Sequence, residues 1–287
     1  MSNKAKLRAI AAEYPPTRFF SCKDFLRQLH VVMKAQEERY SFRQLAEDLG
    51  FSATNIVHLF VQGKRPISEQ AAARIIEALA LRKDERLYFF ALAKLSGELS
   101  ADEVSQVFAE ALDIRSRTIS SRLDQERYRY YSAWYHVVIR EMLALPDFQA
   151  DPKWIAAKVW PKISVKEAEE SLDLLKQLQL IRLDKKTDRW LQSEPTLSTG
   201  PEVTDLAVTA YHLSAIPQGL NALATIDQKK RHISALTLCV SEEQLERMKK
   251  EIEIFQQKLL DLEKDRSGQK PDRVLQLNMQ LYPSTLT

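Results

Sequence analysis

The sequence predicts a mainly α protein with three parts. An N-terminal five-helix unit is built around a helix-turn-helix. A central unit has the helix–helix–helix–hairpin order of a winged helix, and a small α/β element follows at the C-terminus. Three observations carry this prediction. Apolar residues recur at helical spacing through most of the 287 residues. Serines stand at helix-start positions and glycines at helix ends along the first hundred residues. Glycine is otherwise scarce, 6 in all, which argues against a turn-dense all-β fold or a glycine-rich nucleotide cradle. The length points to more than one domain.

Residues 1–18 read as an N-terminal arm, because Pro15-Pro16 stops a helix from running through. Residues 19–98 form the helix-turn-helix unit. Ser21 and Asp24 make a capping-box-like start before Phe25, Leu26, Leu29, Val32 and Met33. Ser41 caps a second helix carrying Phe42, Leu45, Ala46 and Leu49, which stops at Gly50. Ser52 caps a third, with Ile56, Leu59 and Phe60 inward and Gly63 at its end. Ser68 caps a fourth over 69–81, and Asp84 opens a fifth with Leu87, Phe90, Leu92 and Leu95. Residues 99–125 read as a polar connecting helix.

Residues 126–200 form the winged-helix-like unit. It opens on an aromatic run, 128–136, that packs into the core or lines a ligand pocket. A short helix follows Asp151, Ser164 caps a second with Ala168, Leu172, Leu175 and Leu178, and a hairpin turns over 184–188. The 164–178 helix carries Glu167, Glu169, Glu170 and Asp173 against Lys166 and Lys176, so the phosphate-rich groove would repel it. This unit is expected to serve packing or dimerisation.

Residues 201–287 form the C-terminal α/β region, expected to serve assembly or sensing. It reads as helices broken at Pro217, a strand over 233–241, a long helix over 242–266 and a strand over 273–282. Leu245, Met248, Ile252, Phe255, Leu259 and Leu262 repeat at 3-4 spacing. That stripe is either a dimer seam or the packing face of a helix on a two-stranded sheet.

Charge narrows the function. Residues 1–100 hold 16 Lys and Arg against 11 Asp and Glu, whereas each later third carries a net of −1. A basic surface confined to one module suits phosphate binding. Within that module, Ala46 is small where two helices cross closely, and Gly50 takes the positive φ of a sharp turn. Ala53, Thr54, Asn55, Val57 and His58 are left as the base-reading set. Arg43, Gln44, Ser52, Lys64 and Arg65 stand where phosphates would run.

These residues resemble the Cro/repressor-type helix-turn-helix class, through Leu45, Ala46, Leu49, Gly50, Phe51, Ser52, Ile56, Gly63, Lys64 and Arg65. The resemblance covers about 20–95. The span from Ser52 to Gly63 is one residue longer than the usual pattern, which leaves the groove-facing side chains open by one position. The segments around 130–136 and 164–175, Leu197 to Gly200 and 276–283 are similar to a poorly characterised family of predicted bacterial transcription regulators. There, a Cro-type reader precedes a C-terminal region of unknown function. That resemblance spans nearly the whole chain and implies regulation of transcription.

Several classes find no support. Cys22 and Cys239 make no disulfide framework, and the five histidines show no metal spacing. No hydrolase, metalloprotease or nucleotide motif occurs, so neither an enzyme nor a cofactor is expected. No apolar stretch approaches the roughly 18 residues of a membrane span. No secretory leader opens the chain, so the expected location is the cytoplasm. The expected function is a sequence-specific regulator binding double-stranded DNA, as a homodimer, with an effector that is a small molecule or a protein. The alternative is an interaction scaffold in which the helix-turn-helix contacts protein.

Overall fold

The computed structural model describes residues 2–119, 121–193, 201–265, 268 and 270–285, without the side chains of 201–204. The segment Leu197 to Gly200 lies outside the described residues. The protein is mainly helical and divides into two units. The first comprises 1–128 and 199–206, the second 129–198 and 207–287.

The first unit begins with α1 (Asn3–Glu13), where an arm was expected. Pro15-Pro16 does end the helix, but Leu7, Ile10 and Ala11 line one face and are buried in the core. The 3-4 spacing of three apolar residues outweighs the basic, polar remainder of the segment. A single 3-10 turn at Pro16–Arg18 leads to α2 (Cys22–Gln36), whose N-terminus Ser21 caps by accepting from the Asp24 amide. Then come α3 (Phe42–Asp48), α4 (Ile56–Val61), α5 (Glu69–Leu79) and α6 (Lys83–Leu95). Phe25, Leu26, Leu29, Leu45, Leu49, Ile75, Tyr88, Phe89 and Leu92 form the centre of the core. Leu87, expected inward on α6, is exposed. The α6 face that packs carries Tyr88 and Phe89 together with the expected Leu92. The expected connecting helix is α7 (Ala101–Ser116). Its Val107, Ala111 and Ile114 join the same core, so it is a structural member of the unit and not a spacer. Helix α8 (Arg122–Ser132) follows, and the unit boundary falls within it.

In the second unit, Ala133 is extended and separates α8 from α9 (Trp134–Met142). Helices α10 (Pro152–Lys158) and α11 (Val165–Gln177) follow, then β1 (Ile181–Asp184) and β2 (Arg189–Gln192). The strands pair antiparallel, with Leu183 opposite Trp190. Asp184 nucleates the turn by accepting from the Lys186 amide at 3.0 Å and the Thr187 hydroxyl at 2.7 Å. The aromatic run serves the core: Tyr130 and His136 are buried, and Tyr131, Trp134 and Tyr135 pack against the cluster of Ile139, Ile155, Leu172 and Leu175.

The region after 200 holds α12 (Pro201–Ala215), α13 (Pro217–Thr225) and α14 (Glu242–Lys264). Pro217 opens α13, as expected. The two expected strands do not form: residues 233–240 and 273–282 have no ladder partner among the described residues, so the C-terminal α/β element is helical. A strand exists only where another backbone meets its amides and carbonyls. The α14 stripe is only partly covered: no residue of α14 is buried, Leu245, Met248, Ile252 and Leu259 are half-buried, and Phe255 and Leu262 are exposed. Among the described residues, no helix is long and apolar enough to cross a membrane.

Candidate nucleic-acid interface

The predicted reader maps onto α3, α4 and the turn between them. Ser41 and Gln44 close a full capping box on α3: the Ser41 amide donates to Gln44 Oε1 at 2.9 Å, and Ser41 Oγ accepts from the Gln44 amide. Leu45 and Ala46 face the core. Gly50 adopts φ +83°, the left-handed conformation the sharp turn requires. Phe51 plugs the core below it, edge-on to Phe60 at 6.0 Å between ring centroids.

Helix α4 starts at Ile56, later than expected. Ser52 does not cap it; Asn55 occupies the cap position, without a side-chain cap bond. The buried face also differs from the expectation. Val57 is 0% exposed and belongs to the core, so it reads no base. Ile56 and Leu59, expected as anchors, are only half-buried, and Val61 takes the inward role alongside Phe60. Ala53, Thr54, Asn55 and His58 are exposed, as expected. Residues 52–55 form an irregular turn before α4.

The supporting contacts come from distant positions. Arg74 of α5 donates to the Gly50 carbonyl at 3.2 Å and lies 5.5 Å over the Phe51 ring, clamping the turn. Arg27 of α2 donates to the Val61 carbonyl at 3.3 Å, satisfying an open carbonyl at the end of α4. His30 stacks on Phe42 at 3.7 Å, and Phe42 lies 5.1 Å from the His58 ring. Burial, with Lys34 nearby, holds the His30 pKa below its ordinary value, so the stack is built on a neutral imidazole. His58 Nε2 lies 3.1 Å from Gln62 Nε2, one helical turn on. Neither Arg74 nor Arg27 leaves a local signal, because each acts across at least 24 residues of sequence.

The expected phosphate-side residues differ in how free they are. Arg43 is exposed and pairs with Glu47 at 3.1 Å. Gln44 is half-buried, and its carbonyl oxygen is committed to the cap. Ser52 is exposed with its hydroxyl uncommitted by a helix. Gly63, at φ +69°, ends α4: its amide donates to Phe60 and the next amide to Leu59, both at 3.0 Å. That termination projects Lys64 and Arg65 into solvent, and neither side chain has a partner among the described residues. Among the described residues, no cluster of His, Cys, Asp or Glu is arranged to hold a metal.

A family defined by a domain of unknown function, DUF4423, matches residues 115–283, which is more than half of the chain. The chain belongs to this family. The match begins at the end of α7, after the α3–α4 element. No curated protein and no solved structure matches the chain.

Proposed function

We propose that the protein is a sequence-specific, DNA-binding transcriptional regulator that acts as a homodimer. One observation carries the reading. Exposed hydrogen-bonding side chains, Thr54, Asn55 and His58, share a short two-helix element with two cations, Lys64 and Arg65, that have no partner among the described residues, and the element is clamped from behind. Asn offers a bidentate match to adenine, and Thr a hydroxyl and a methyl for thymine. Lys64 and Arg65 meet phosphates, which position the reader without specifying sequence. The order α9, α10, α11, β1–β2 is that of a winged helix, and its acidic α11 suits it to packing between copies rather than to a groove. Two readers about a two-fold axis meet half-sites roughly 34–36 Å apart.

The test is fluorescence anisotropy on a site selected from random duplexes. Lys64→Ala with Arg65→Ala should weaken binding to selected and unrelated duplexes alike. It should also lower the log–log salt slope by about 2, one counterion for each cation removed. Unchanged affinity and slope at low salt would refute the placement of the phosphate side. Failure of the full chain to retain any duplex would refute the reading itself.

A further inference from the structure

The second unit carries two uncharged, alternating segments, 233–240 and 274–282. Neither forms a ladder with anything among the described residues. The second segment presents one face to the protein: Val274 packs against the core of the unit, Gln276 Oε1 accepts from the Tyr211 hydroxyl at 2.8 Å, and Asn278 donates to the Ala215 carbonyl at 3.0 Å. The other face is apolar and open: Leu275, Leu277, Met279 and Leu281 are exposed, Leu275 at 80%. In the first segment, Leu236 reaches 86%. Phe255 and Leu262 of α14 are exposed as well.

The area agrees. The chain exposes 19178 Å². A compact protein of 33.1 kDa exposes about 12,500 Å², and even two isolated domains of half that mass expose about 15,000 Å². The excess of about 4,000 Å² belongs to the whole chain and exceeds the roughly 1,000–2,500 Å² that each protomer contributes to an obligate dimer interface.

We infer that residues 233–240 and 274–282 are interface strands, completed by the same segments of a second copy of this chain in a shared β-sheet with α14 against it. A second copy is the occupant because the surface is uncharged and can meet itself without repulsion. With no Lys, Arg, Asp or Glu in either segment, a two-fold axis brings no like charges face to face. Monomeric proteins guard a free edge with lysine, proline or a bulge. Here, no lysine and no proline interrupts either segment. The chain supplies two segments fit to be strands and a long amphipathic helix, and neither segment has a ladder partner among the described residues. This inference deepens the homodimer part of the proposed function and is tested without DNA, so its failure leaves the DNA-binding reading standing.

The experiment uses the full chain. Light scattering after size exclusion, over a broad concentration range, should give a dimer. Leu236→Lys with Leu277→Lys should raise the dimer dissociation constant roughly 100-fold or more, because the two-fold axis duplicates each new charge inside the sheet. A monomer at high concentration overturns the inference, and so does a folded lysine variant whose dissociation constant is unchanged. If the lysine variant does not fold, amide exchange on the unaltered dimer decides. Protection over 233–240 and 274–282 supports the shared sheet, and fast exchange there overturns it.

Discussion

Acidification should weaken the second unit through one residue, His136. Its Nδ1 lies 2.8 Å from Ser171 Oγ, and both residues are buried, His136 at 7% exposure and Ser171 at 0%. The rings of Tyr135 and Tyr130 flank it, at 4.5 and 6.4 Å. Burial is the main cause that lowers its pKa to about 4, with Arg129 adding to the shift and Glu167 opposing it. In the unfolded chain the same imidazole titrates near its ordinary 6.5. Between these values the unfolded chain binds the extra proton and the native chain does not. Stability therefore rises with pH across this window. The contribution is complete above about pH 6.5 and is lost as pH falls toward 4. From about pH 7.5 to about pH 4.5 the loss from this group alone is about 2.5 kcal/mol, at about 1.4 kcal/mol per pKa unit. The assay is urea unfolding followed by tryptophan fluorescence. It isolates the second unit, because all four tryptophans, Trp134, Trp154, Trp160 and Trp190, lie within it. Carboxylates also titrate in this range, so the decisive quantity is the difference from His136→Gln. That variant should lose about 2.5 kcal/mol less on acidification than the unaltered protein. Equal losses in the two proteins would show that His136 is protonated in the folded state and would refute the argument.

Other outcomes follow from the same geometry. Asn55→Ala should leave folding intact, since Asn55 makes no cap bond, and should relax the selected DNA consensus by about 1–3 kcal/mol at one position; an unchanged consensus moves the readout elsewhere. Val57→Ala should instead cost about 2 kcal/mol of stability in denaturant unfolding and leave the consensus unchanged, because the side chain is core. Gly50→Ala should cost about 1–2 kcal/mol from backbone strain at φ +83°, since the nearest atoms to an added Cβ, on Arg74, are at an ordinary 3.7 Å. Ile252→Glu with Leu259→Glu should leave the second unit folded by near-ultraviolet circular dichroism, because neither residue is buried; unfolding would show that the α14 stripe is core.

Much of the fold was legible locally. Ser21, Ser41, Ser68 and Ser164 each cap the helix assigned to them, because a cap is a contact between residues two or three apart. Gly50 and Gly63 take the positive φ that their place at helix ends implies. The 184–188 turn forms for the same local reason. Exposure of Thr54, Asn55, His58, Lys64 and Arg65 also followed from sequence, since polar residues beside an apolar stripe have nowhere else to go.

Tertiary structure decided what depends on partners distant in sequence. Whether Val57 or Ile56 turns inward depends on how α4 packs against the other helices, with Arg74 of α5 bonded to the Gly50 carbonyl and Arg27 of α2 to the Val61 carbonyl. Three apolar residues made α1 core and not an arm only because the other helices offer them a surface. The segments 233–240 and 274–282 show the boundary most sharply. Alternation in sequence marks a chain fit to be a strand, but a strand is completed by hydrogen bonds to a neighbouring backbone. The sequence determined the alternation; the tertiary structure decided that no neighbour stands within this chain among its described residues.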